Sequence, residues 1–147
     1  MKKIRLIIIS VFILSSSNFA KADLNNSLKK YLDEKDLEKA STQIYLLKRC
    51  SAIYAYASGI VLKSDAVSSK NFIEVSNNLL FKSVELMVID ENKKLEEAQA
   101  EAEKNRKELF SNYIADGKKN WEKNKSHFKG SYISEDMAIC SKLTEEN

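Results

Sequence analysis

The sequence predicts an all-α fold, a four- to five-helix bundle stapled by one disulfide and preceded by a cleaved signal peptide. Three observations carry this. The 147 residues include no proline and three glycines, too few for the tight turns of a hairpin-rich β protein. Apolar residues recur at helical spacing along most of the chain. Two cysteines, Cys50 and Cys140, stand far apart in a chain whose start reads as an export signal.

That start has three parts in order. Lys2, Lys3 and Arg5 are basic, Leu6 to Leu14 is a nearly unbroken apolar run, and Ala20-Lys21-Ala22 matches a small-x-small cleavage pattern. This is the order of a secretory signal peptide. The apolar run is about half the ~20 residues that a spanning helix needs. Residues 1–22 are therefore expected to leave, and residues 23–147 to form one helical domain. No stable transmembrane segment is expected after cleavage, and the location is periplasmic or secreted.

Cleavage changes the charge balance. The whole chain has 24 Lys+Arg against 21 Asp+Glu, a net +3. Losing Lys2, Lys3, Arg5 and Lys21 leaves 20 basic residues against the same 21 acidic ones, a net −1. The global excess that would draw nucleic acid is gone, and no nucleic acid partner is expected.

Leu24, Leu28, Tyr31 and Leu32 form the stripe of a short first helix. The charged stretch Asp33 to Lys39 bends or breaks the chain. A second helix starts near Asp36 and is apolar or small on nearly all sides from Leu46 to Leu62, as a central bundle helix would be. Lys63 to Asp65 make a turn. Ser68 or Ser69 is the expected N-cap of a third helix, with Phe72, Val75, Leu79, Leu86 and Ile89 facing the core. From Asp90 to Glu108 the residues are strong helix formers. The spacing of Asp90 with Lys94, and of Glu103 with Lys107, suits i,i+4 ion pairs. The same helix is expected to continue through this stretch, mostly solvated, and to bury again at Leu109. Gly117 should break or cap it. Lys118 to Gly130 reads as a basic-aromatic loop with Trp121 and Phe128 turned to the core. Ser134 is the expected N-cap of a last helix, with Glu135 and Asp136 favoured in its first turn by the helix dipole.

The chemistry-bearing residues are few. In an oxidising compartment two surviving cysteines pair. Cys50–Cys140 would close a loop of about 90 residues, stabilising by roughly 4–5 kcal/mol through chain entropy. There is no C-x-x-C redox spacing. One histidine, His127, gives no metal pair, so no metal site and no cofactor are expected. No G-x-S-x-G elbow is present. Glu96, Glu97, Glu101 and Glu103 fall on several faces of one helix and read as solubilising charges, not as a glycosidase pair. No catalytic residue is assigned. The candidates for contact with a ligand or partner are Arg49, Tyr54 and Tyr56 on the apolar helix, and Lys118, Lys119 and Trp121 in the basic segment.

The expected function is that of an exported, non-enzymatic helical protein binding a partner protein or a cell-envelope component. Two alternatives stand beside it. One is a small envelope hydrolase whose carboxylates converge only in three dimensions. The other is a stress chaperone or inhibitor.

Overall fold

A computed structural model describes residues 27–145. The expected signal peptide, residues 1–22, lies outside the described residues. Within them the chain forms five helices and no strand: α1 (Leu28–Asp33), α2 (Ala40–Val61), α3 (Ala66–Ile89), α4 (Leu95–Asn124) and α5 (Tyr132–Glu145). The all-α bundle follows directly, and Cys50 of α2 is bonded to Cys140 of α5.

The α2 helix is the hub. Cys50, Ser51, Ala52 and Ile53 are four successive residues with no exposed surface. Four consecutive positions sweep almost a full turn, so α2 is covered on nearly every side. One core cluster gathers around it at the disulfide, from Leu28, Cys50, Ile53, Tyr54, Tyr113, Ile133 and Cys140. A second lies towards the α3–α4 turn, where Ile44, Leu80, Val84 and Met87 meet Ala98 and Ala102.

Serines set the register of the α2–α3 hairpin. Ser51 Oγ donates to the Ser76 carbonyl at 2.7 Å, and Ser76 Oγ donates back to the Ser51 carbonyl at 2.7 Å. Seven residues further along α2 and seven back along α3, Ser58 Oγ donates to the Ser69 carbonyl at 2.9 Å. Short side chains let the two backbones approach, and each buried hydroxyl is satisfied across the interface. A seven-residue step is two helical turns, so the pairs stack on one seam.

Several boundaries differ from expectation. The α2 helix begins at Ala40, not near Asp36; Asp36 instead holds the preceding turn by accepting from the Glu38 N–H at 3.0 Å. The N-cap of α3 is Asp65, whose carboxylate accepts from the Ser68 N–H at 2.9 Å. The long charged helix is two helices. Asn92 takes a left-handed backbone, φ +54°, which interrupts the run of helix formers. The gain is tertiary: the chain reverses, and Ala98 and Ala102 bury completely against α3. Neither i,i+4 ion pair forms among the described residues; Lys93 instead bridges Glu91 at 3.1 Å and Glu101 at 2.5 Å.

Gly117 neither breaks nor caps its helix. The α4 helix runs through it to Asn124 and ends at Lys125, which is left-handed at φ +55°. A Cβ at 117 would overlap the Tyr56 hydroxyl and ring, so glycine is there to admit the tyrosine. Asn120 ties the following loop down, donating to the Ser126 carbonyl at 2.7 Å and the Lys129 carbonyl at 3.1 Å. The α5 helix begins at Tyr132, two residues before the expected cap, and Ser131 Oγ accepts from the Ile133 N–H at 3.3 Å.

Candidate functional site

The strongest polar constellation lies in the core. Arg49 is the one arginine of α2, set in its apolar stretch with 2% of its surface exposed. Its Nε and Nη2 donate to Asp136 Oδ2 at 2.9 and 2.6 Å, a two-pronged charge-assisted pair. Nε also meets the Tyr113 hydroxyl at 3.1 Å, and Nη1 donates to the Tyr45 hydroxyl at 2.9 Å. Tyr113 in turn donates a hydrogen bond to Asp136 Oδ2 at 2.7 Å. The other carboxylate oxygen, Oδ1, accepts from the Leu28 N–H at 2.6 Å. One buried carboxylate therefore joins the start of α1, the middle of α2 and α4, and the first turns of α5. The guanidinium also lies 5.9 Å from the Tyr113 ring centre and 5.8 Å from that of Tyr132, within cation–π range.

The surroundings keep Arg49 charged. Burial opposes the charge on Arg49, but Tyr113, Tyr45 and Asp136 outweigh it and hold the guanidinium protonated more firmly than usual. Burial pushes the Tyr113 phenol well above its ordinary range. Burial also raises Tyr132, helped by Asp116, which accepts from its hydroxyl at 2.8 Å. Among the described residues no buried side-chain nitrogen or oxygen lacks a hydrogen-bond partner. The network is closed and satisfied, with Arg49, Tyr113 and Asp136 each 2% exposed or less.

The other candidates separate into core and surface. Tyr54 is buried, with its hydroxyl 3.0 Å from Thr144 Oγ1 and its ring tilted on Phe72. Tyr56 is buried against Gly117, with its hydroxyl 3.2 Å from His127 Nδ1. Burial raises its phenol to about 12. Lys118 and Lys119 are exposed on α4, and Lys119 pairs with Asp116 at 3.3 Å. Trp121 is not a core residue: it is 47% exposed and stacks on His127, with ring centres 4.9 Å apart. Phe128 is half-buried beside Tyr56. His127 links Tyr56 to Trp121, while Arg49 and Tyr54 find their partners inside the bundle. Much of the expected basic loop is helix, since α4 extends to Asn124.

Asp136 and Tyr113 are the residues that sequence reasoning missed. A signal was available. An arginine in an otherwise apolar helix needs a carboxylate. Asp136 lies four residues before Cys140, on the same side of α5, and Arg49 adjoins Cys50; the disulfide delivers one to the other. Elsewhere, Lys48 is nearly buried and 3.9 Å from Glu101. Burial draws its ammonium below the usual lysine range, with Glu101 opposing. Among the described residues no group of three His, Cys, Asp or Glu side chains is placed to hold a metal ion. No helix there is long and apolar enough to cross a membrane.

Comparison with family models, characterised proteins and solved structures finds no match to this chain.

Proposed function

We propose that the chain is an exported, extracytoplasmic protein that binds a protein partner or an envelope component and carries out no chemistry of its own. The observation that carries the reading is the Cys50–Cys140 bridge, which spans 90 residues of sequence and ties the last helix, α5, to the central helix α2 inside the core. Such a structural bridge belongs to an oxidising compartment, since cytosolic thiols are kept reduced. The apolar run followed by Ala20-Lys21-Ala22 points the same way.

The burial of the polar network weighs for binding over hydrolysis. A glycosidase-type pair needs two carboxylates facing a shared, solvent-open cleft. Asp136 has no exposed surface, and its oxygens are occupied by Arg49, Tyr113 and the Leu28 N–H. Its role is to fasten helices together.

The test is direct. Expressed in a bacterium with its own leader, the protein is expected in the extracytoplasmic fraction. Its mass should show loss of residues 1–22 and of two hydrogens at the cysteines. An unprocessed, reduced chain in the cytosol overturns the proposal.

A further inference from the structure

One flank of the bundle is left uncovered. A groove of about 570 Å³ runs between α2 and α4, with Ala55, Ala100 and Phe110 in its apolar lining. One turn beyond Ala55, Gly59 faces open space; a Cβ there would meet nothing within 4 Å. The rim is basic. Lys104, Arg106 and Lys107 border the groove against one acid, Glu103. Among the described residues Lys104 and Lys107 make no ion pair, and Arg106 is held by Asn77 Oδ1 at 3.1 Å. Beyond the groove the same face of α4 stays exposed. Ile114 and Trp121, each 47% exposed, follow Lys107 and Phe110 at helical spacing, with the exposed Lys118 between them. From Ala100 to Trp121 this face of α4 is about 30 Å long, and the groove lies along its first half.

We infer that this α2–α4 groove docks an acidic amphipathic helix of a protein partner. The inference rests on the binding-protein reading and names the partner's chemistry. Charge complementarity selects the occupant: a row of unpaired lysines beside an apolar floor matches a helix with apolar anchors at i, i+3 and i+7 and Asp or Glu along their borders. Shape agrees. A long, open furrow does not enclose a small molecule, whose pockets bury most of the ligand surface, but it suits the side of a rod. The small residues Ala55, Gly59 and Ala100 let a partner backbone come close. Phe110 and Trp121 are the aromatic anchor type found at binding hot spots.

The test uses the oxidised protein and a labelled peptide of about 20 residues made of Leu, Ala and Glu, with its apolar residues on one helical face. A peptide in which Lys replaces Glu is the control. The Glu peptide should bind, with NMR shifts at Ala55, Gly59 and Phe110, and the Lys peptide should bind at least about tenfold more weakly. Gly59→Leu should weaken binding at least about tenfold, because a helical side chain covers the turn before its own Cα and would lie over Ala55. Its Cβ meets nothing within 4 Å and leucine favours the helix over glycine, so the fold should be retained, which circular dichroism checks. The exposed pair Lys104→Glu/Lys107→Glu should weaken the Glu peptide by a similar factor. The inference is overturned by no binding up to about 1 mM, or by binding that Gly59→Leu leaves unchanged. Co-sedimentation with phosphatidylglycerol vesicles without peptide binding assigns the flank to lipid and overturns it. A dimer that Gly59→Leu abolishes assigns the flank to a second copy and overturns it as well. These readouts do not depend on where the protein resides, so failure of export and failure of docking are distinguishable.

Discussion

Asp136→Asn isolates the charge at the centre of the bundle. The substitution is nearly isosteric, so packing is retained. The amide oxygen has one place to go and two sets of donors to serve. If it stays with the Leu28 N–H, the amide NH2 faces Arg49 Nε and Nη2, donor against donor, where Oδ2 had accepted at 2.9 and 2.6 Å. If it flips, the clash moves to the Leu28 N–H. In either orientation the 2%-exposed guanidinium of Arg49 loses its counter-charge. Removing one partner of a buried ion pair costs about 3–5 kcal/mol, because the survivor is left charged and desolvated. With a urea slope of about 2 kcal/mol per molar, the unfolding midpoint should fall by roughly 2 M. A second variant separates charge from packing. In Arg49→Met/Asp136→Asn no charge remains at this site, the amide oxygen accepts from the Leu28 N–H, and the Tyr113 hydroxyl accepts from the amide. This double variant should recover most of the loss, to within about 1–2 kcal/mol of the parent. The assay is equilibrium urea unfolding of the oxidised proteins, followed by circular dichroism. A single-variant loss below about 1 kcal/mol, or a double variant no more stable than the single, would refute the reasoning.

Three further outcomes follow from the same structure. Cys50→Ser/Cys140→Ser should lower stability by about 2–5 kcal/mol in denaturant unfolding. Its amide exchange should rise first in α1 and α5, because α1 hangs on Asp136 of α5 through the Leu28 N–H; uniform acceleration across all helices would contradict that coupling. The two helical glycines should respond with opposite signs. Gly59→Ala gains about 0.5–1 kcal/mol from helix propensity with nothing to strike, while Gly117→Ala destabilises by displacing Tyr56; equal thermal shifts would remove this distinction. Alkaline titration should show buried phenols. Tyr56, raised to about 12 by burial, stays protonated in the folded state at pH values where an unfolded tyrosine has ionised. A raised folded pKa makes its stabilisation complete below pH ~10 and lost as pH climbs from there to about 12. Phenolate absorbance that completes at pH ~10 with the protein still folded would oppose it.

Much of the fold could be read from local pattern. Apolar spacing placed the helical stretches, because a helix repeats every 3.6 residues whatever it packs against. The cysteine count pointed to one bridge, since two thiols allow a single intramolecular connectivity. The helix apolar or small on nearly all sides became the hub, because a central position hides most of its faces. Arg49, Tyr54 and Tyr56 stood out as unusual in an apolar helix, but their partners were out of sight.

Those partners required the tertiary structure. Whether the charged middle was one helix or two turned on Asn92, whose left-handed backbone is offset by burying Ala98 and Ala102 against α3. Gly117 looked like a helix stop, but its lack of a Cβ serves Tyr56, a residue 61 positions earlier in the chain. Asp136 carried the usual mark of a first-turn acid, and only its distance to Arg49 makes it the buried counter-charge of the core. Helix periodicity and cysteine pairing depend on neighbours along the chain or on counting, so composition and order suffice for them. The break at Asn92, the glycine cradle and the ion pair depend on which surfaces meet, and that is settled when the helices pack.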